Sequence, residues 1–196
     1  MKNWRLIVGG TLIVVGLGIV GTAFFLRWST MNNQKKMINN YKQEIKHEQK
    51  VKEKDPDKKP PDLYMGTLGI ITIPKIDLEV AIGEGVDMAT LKNAVGHFPD
   101  TAMPGEKGNF CLAGHRSYTY NQFFNRLDEV KIGDEIYITT LKGNFKYKVY
   151  KIQEVDPSHV EVLQPDKDHD YTMTLVTCTP VRIATHRLIV KAELEK

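Results

Sequence analysis

A thiol, an imidazole and a guanidinium can between them run acyl transfer. The thiol attacks a carbonyl, the imidazole carries the proton, and the guanidinium steadies the oxyanion that develops. Three residues of these types stand at informative places in the chain. Cys178 closes the run Thr174-Leu175-Val176-Thr177-Cys178, Arg187 follows nine residues later, and His115 closes Phe110-Cys111-Leu112-Ala113-Gly114-His115. A free thiol with a pKa near ~8.5 is only a few per cent thiolate at neutral pH, and cations beside it raise that fraction. Taken singly, each residue is weak testimony. A strand cysteine is more often a small buried hydrophobe than a nucleophile. A lone histidine is more often structural, and His47, His97, His159, His169 and His186 show that the residue is not scarce here.

The elements that must position these groups read as strands. In Tyr171–Cys178, Met173 and Leu175 take one face and Thr172, Thr174, Val176 and Cys178 the other. Pro180 cannot continue a ladder, so the strand ends just after Cys178. Arg187–Leu194 alternates as well, with Leu188, Val190, Ala192 and Leu194 on one face and Arg187, Ile189, Lys191 and Glu193 on the other. If both apolar rows face one core, Cys178 and Arg187 share the outward side. Phe110 and Leu112 take the inward face of the third run, leaving Cys111, Ala113 and His115 outward, and Gly114 leaves room for a close backbone approach.

The two cysteines do not form a disulfide framework. Cys111 lies four residues from His115, roughly 13 Å along a strand. If Cys178 meets His115 it does not bond Cys111, which is then a packed or mildly exposed thiol. No His/Cys/carboxylate spacing matches a zinc site, and no acidic cluster is assigned to calcium, so neither metal nor cofactor is expected. At 196 residues and a formal charge of +3 the chain suits one domain with additions. The basic excess gathers near the N-terminus, and no nucleic-acid-binding pattern appears.

Leu6–Leu26 is an uncharged, mostly apolar run of the length needed to cross a bilayer. Lys2 and Arg5 precede it; Arg27 and the interface-favouring Trp28 follow. Gly21 and Ala23 have the spacing of a signal-peptide cleavage site, but the apolar run continues through Phe24, Phe25 and Leu26, which favours an uncleaved anchor. Lysine and arginine are more numerous after the helix than before it, and by counting this favours an internal C-terminal part. Thr30–Asp62 is rich in Lys, Glu, Gln and Asn. Met37, Tyr41 and Ile45 make a weak helical stripe in a stretch that otherwise reads as a solvated stalk, and Lys54–Pro61 reads as a semi-rigid spacer.

From Leu63 onward short apolar runs alternate with turn signals. Strands are expected at 68–73, 78–82, 110–115, 135–140, 145–155, 172–178 and 187–194, with a capped short helix opening at Asp87. The expected class is all-β, a closed barrel or sandwich. The expected organisation is an anchor over 1–29, a charged, Pro-rich stalk over 30–62 and a β domain over 63–196.

Thr174-Leu175-Val176-Thr177-Cys178, Arg187 in Thr185-His186-Arg187-Leu188-Ile189-Val190, and Ala113-Gly114-His115-Arg116 together closely resemble the sortases, membrane-anchored cysteine transpeptidases of Gram-positive bacteria. The likeness covers Gly66–Leu194, including Ile73-Pro74-Lys75-Ile76 and the stretch from Gly96-His97 through Pro104-Gly105 to Gly108-Asn109. It implies a closed eight-stranded β-barrel whose outer groove receives a Leu-Pro-x-Thr-Gly (LPxTG) sorting signal. By position it implies Cys178 as nucleophile, His115 as acid/base and Arg187 as carbonyl holder, with Thr177 and His97 as candidate substrate contacts. Asp100 and Asp128 are near His115 in sequence, but neither can be assigned to orient it.

The implied reaction cleaves after Thr and passes the acyl group to an amine of peptidoglycan or its lipid-linked precursor. That places the enzyme in the cell membrane on a single N-terminal span, with an extracellular catalytic domain, opposite to the simple charge count. Pilus-assembling (class C-like) sortases usually carry an Asp-Pro-aromatic lid and a second, C-terminal membrane helix. Here Asp55-Pro56 is followed by Asp57 and the sequence ends in a charged tail, so a class D, protein-anchoring enzyme is expected. A pilus-assembling (class C-like) sortase, a hydrolytic cysteine peptidase and a non-catalytic cell-wall-binding barrel are the alternatives.

Overall fold

The computed structural model describes residues 2–55, 57, 59–61, 64–116 and 123–195. Pro56, Lys58 and Asp62 of the expected spacer and stalk, and the expected β-domain termini Leu63 and Lys196, lie outside that set.

Helix α1 runs without a break from Lys2 to Lys54. The strands that follow are β1 (Thr67–Ile73), β2 (Leu78–Glu84), β3 (Val95–His97), β4 (Gly108–Ala113), β5 (Glu135–Thr140), β6 (Gly143–Val155), β7 (Tyr171–Thr179) and β8 (His186–Leu194). They close into a barrel in the order β1-β2-β3-β4-β7-β8-β6-β5. The β2–β3 and β4–β7 pairs are parallel and the rest antiparallel. A parallel neighbour needs a crossover, and between β2 and β3 it is helix α2 (Met88–Asn93), whose first turn is capped by the Asp87 carboxylate accepting from the Ala89 and Thr90 N–H groups.

The core is the inward row expected from the alternation. Phe110 and Leu112 of β4, Met173 and Leu175 of β7, and Leu188, Val190 and Ala192 of β8 meet Ile136, Ile138, Tyr147 and Val149 in one buried cluster. A bulge in β6 between Val149 and Lys151 resets the alternation, so Ile152 again packs on that core. β3 was not among the expected strands. It is three residues long, too short to show a period.

The stretch expected to be a solvated stalk behaves differently. Its stripe docks on the outside of the barrel, where Ile38 and Tyr41 are buried with Ile70, Ala81 and Leu141, and Met37 and Ile45 pack beside them. The Tyr41 hydroxyl donates to the Leu68 carbonyl (2.6 Å) and accepts from the Leu141 N–H (3.2 Å). Lys42 pairs with Glu79 at 2.7 Å. An apolar stripe only three residues deep cannot hold an isolated helix in water; it is stable here because the barrel offers a face to bury it. Val8–Leu26 of the same helix is long and apolar enough to cross a membrane and buries nothing against the protein.

Candidate active site

β4, β7 and β8 bring the three candidate residues toward one level, with His115 two residues past the end of β4. β4 and β7 are in parallel register through Ala113 opposite Val176. Two further steps along each chain set His115 beside Cys178. On the other side of β7, Cys178 is directly opposite Arg187. Adjacent strands lie about 4.8 Å apart, so the three backbones stand in a row with the cysteine in the middle. The alternation turns all three side chains away from the core, and each is half-buried.

Local contacts hold the β4 end in that position. The Gly114 N–H donates to the Val176 carbonyl at 3.1 Å, and the Thr177 hydroxyl donates to the Gly114 carbonyl at 2.7 Å. A Cβ on residue 114 would meet the Phe124 ring at 2.5 Å, so only glycine admits this approach immediately before His115. The Phe124 N–H in turn donates to the His115 carbonyl at 3.3 Å. Past Thr179, Pro180 ends β7, and its carbonyl accepts from the Ile183 and Ala184 N–H groups to turn the chain toward β8. Arg187 Nη1 donates to the Ala184 carbonyl (3.2 Å) and the His186 carbonyl (3.1 Å). A guanidinium has five donors, so this anchorage leaves others to face a ligand.

The outward face of β4, β7 and β8 is roofed at its far end. Asn109 Nδ2 donates to the carbonyls of Val162, Leu163 and Gln164 at 3.1–3.2 Å, while its Oδ1 accepts from the hydroxyls of Thr172 (3.1 Å) and Thr174 (2.9 Å). One side chain thus fastens the β6–β7 connection over the strands. Asp166 of that connection is bound by Lys191 of β8 (3.3 Å) and by the Tyr150 hydroxyl (2.8 Å). These partners hold its carboxyl down at about 2 against the cost of its partial burial.

Cys111 lies under this roof, fully buried, with its thiol against the Asn109 carbonyl (3.6 Å) and the Leu163 carbonyl (3.5 Å). Burial pushes its pKa up to about 12. Both cysteines are free, and Cys111 is the packed thiol of the two alternatives the sequence leaves open.

Thr177 and His97 stand apart from the outward row. Thr177 is buried, its hydroxyl committed to Gly114. His97 is buried too. Its Nδ1 faces the Glu84 carboxylate at 3.1 Å, its Nε2 faces the Ala102 carbonyl at 3.2 Å, and its ring lies against Phe110. Both side chains are buried and bonded within the barrel wall. Asp128, near His115 in sequence, forms an ion pair with Arg116 at 2.8 Å. Glu44, His47 and Glu48 form a group of potential metal ligands within 4.8 Å of one another, on α1. Sequence reasoning missed Asn109 as a clamp; the signal present was a polar residue on the outward row of an otherwise apolar strand.

The chain was compared with known proteins. A family model for the sortase domain matches residues 71–195. Sortase D of Bacillus subtilis is 36% identical over 114 residues, 57% of this chain and 54% of that protein. Sortase A of Streptococcus agalactiae is 33% identical over 133 residues, 66% of this chain and 53% of that protein. The chain therefore spans about half the length of the curated relatives it matches. Among solved structures, a Clostridium perfringens Sortase D5 transpeptidase superposes with a TM-score of 0.69 at 38% identity, covering 84% of this chain and 99% of the other.

Proposed function

The chain belongs to the sortase family, and from that premise we propose that it is a cysteine transpeptidase, with Cys178 as nucleophile, His115 as acid/base and Arg187 as the group that holds the reacting carbonyl. The observation that carries this reading is the register. β4 and β7 pair in parallel up to Ala113 opposite Val176, two residues short of 115 and 178, and Cys178 is opposite Arg187; this supports one level for residues 115, 178 and 187, all half-buried.

In this reading the Cys178 thiolate adds to the carbonyl of the Thr–Gly bond of an LPxTG-type signal. The electron pair moves onto the carbonyl oxygen, where Arg187 donors meet it; donors of this kind are typically worth about 3–4 kcal/mol. Collapse breaks the C–N bond, and His115 delivers its proton to the departing amine, leaving a thioester. An incoming amine then attacks the thioester, gives its proton to His115 and regenerates the Cys178 sulfur as leaving group. The amine is that of peptidoglycan or its lipid-linked precursor.

The class D assignment is supported by the likeness to Sortase D of Bacillus subtilis and to the Clostridium perfringens Sortase D5, at 36% and 38% identity, and by the charged residue after Asp55-Pro56. The proposed division is an anchor over 1–29, a stalk over 30–62 and a catalytic barrel over 63–196, with the barrel on the outer side of the cell membrane. The unbroken α1 supports a short, stiff mount. From Leu26, the end of the apolar span, to Gln34, the first buried residue of the docked segment, the helix rises about 12 Å.

The test uses the full-length chain in detergent with an LPxTG peptide, with and without an oligoglycine amine. Mass spectrometry is expected to find an acyl group on Cys178, and product analysis an amine adduct. Hydrolysis without any adduct would favour a peptidase. No acyl group on Cys178, with turnover undiminished in Cys178→Ala, would overturn the reading.

A further inference from the structure

Arg116 follows His115 and Thr179 follows Cys178. Successive residues of an extended chain point to opposite faces, so Arg116 and Thr179 aim into the mouth of the barrel while the imidazole and thiol aim out of it. Behind that outward face these two residues meet: Arg116 Nη1 donates to the Thr179 hydroxyl at 3.3 Å. Two more donors are placed as well, Nη2 on the Asp128 carboxylate at 2.8 Å and Nε on the Asn125 carbonyl at 3.3 Å. The Thr179 hydroxyl passes its own proton toward Glu154 of β6 at 3.3 Å. Glu154 is one residue before Val155, the register partner of Arg187 on β8.

The Arg116 side chain is only 7% exposed. A buried guanidinium is a poor choice for stability alone, because an apolar side chain of similar volume often serves the fold as well or better. What the charged fork adds is direction: a planar group with fixed donor angles cannot slide on its partners without losing them.

We propose that Arg116 is a positioning residue. From inside the barrel mouth it locks the backbone that projects His115 to the backbone that projects Cys178, with Asp128 and Thr179 as side-chain partners among the described residues. Among the described residues no carboxylate orients the imidazole of His115; Asp128 acts one residue further along, through the guanidinium. The inference rests on the proposed roles of Cys178 and His115, since it concerns the distance between them.

The experiment compares the full-length wild type with Arg116→Met, Arg116→Lys and Thr179→Val in single-turnover acylation by an LPxTG peptide, alongside thermal unfolding. A displacement of about 1 Å between reacting groups can cost about 100-fold in rate. Arg116→Met is therefore expected to lower the acylation rate constant by about that factor while KM stays within about twofold. Arg116→Lys is expected to recover part of the loss, and Thr179→Val, which keeps the volume and removes the acceptor, to lose about tenfold. A merely structural residue would lower the unfolding temperature and leave the rate constant of the folded fraction unchanged. That result in Arg116→Met, or in Thr179→Val should Arg116→Met fail to fold, overturns the inference. Failure of the underlying reading looks different, because then the wild type itself forms no acyl-enzyme.

Discussion

Two free thiols lie on the same outward face of this barrel, and they have opposite surroundings. Cys111 stands mid-strand on β4, fully buried beneath the β6–β7 connection and held neutral by burial. Cys178 stands near the end of β7, half-buried, with Arg187 opposite and His115 two residues past the end of the neighbouring β4. Residue type and sheet face are identical. The roof and the neighbouring side chains differ, and thiol chemistry depends on access. The same outward face is thus covered at one end and open at the other. Asn109 sets where the closure begins.

The strongest way to break this contrast is to remove each sulfur in turn. Cys178→Ala is expected to lower acyl transfer to an added amine by about 1,000-fold or more, as loss of a covalent nucleophile does. Cys111→Ala is expected to leave it within about twofold. Equal effects, read from peptide turnover, would abolish the distinction. Next in size, Arg187→Ala should lower kcat by about 100- to 1,000-fold. Arg187→Lys should recover only part of this, because a point charge does not reproduce the fork.

A smaller effect sharpens the role of the roof. Methanethiosulfonate labelling followed by mass spectrometry should modify Cys178 first in the native protein. Asn109→Ala removes the donor to three loop carbonyls and the acceptor for two threonine hydroxyls. It is expected to raise Cys111 labelling by about tenfold, the exposure that a loss of one to two kcal/mol of local closure produces. Unchanged protection would show that the roof is held by something else.

The smallest effect is on alkaline stability. Burial raises the Cys111 thiol from 9.0 to about 12. Between those values the unfolded chain has released the proton and the folded protein still holds it, so unfolding is favoured increasingly as pH rises. The contribution is whole below about pH 9 and is lost on the way to about 12. Urea melts at several pH values should show the wild type losing stability faster than Cys111→Ala across that window. Tyr41 and Tyr147, also pushed up to about 12 by burial, act equally in both proteins.

Much of this was legible in the chain. The inward rows of β4, β7 and β8 were readable residue by residue, because alternation is a local property of extended backbone. Gly114 announced a close approach, and the Phe124 ring occupies the space a Cβ would need. The motifs around His115, Cys178 and Arg187 named the family before any strand was placed. Other features had no local signature. The Met37–Tyr41–Ile45 stripe reads as a marginal helix face, and nothing near it in sequence says that Leu68 and Leu141 wait to bond the Tyr41 hydroxyl. Asn109 is one polar residue among many until the β6–β7 connection folds onto it.

Residue type, face and strand identity were therefore determined by the sequence, since each depends on neighbours a few positions away. Level was decided only by the tertiary structure. His115 and Cys178 stand side by side because β4 and β7 pair in parallel across some sixty residues of intervening chain, with Ala113 opposite Val176. A shift of one residue in that pairing would turn one of the two side chains into the barrel. The register is set by how two separate apolar rows fill one shared core, and no stretch of the sequence states that by itself.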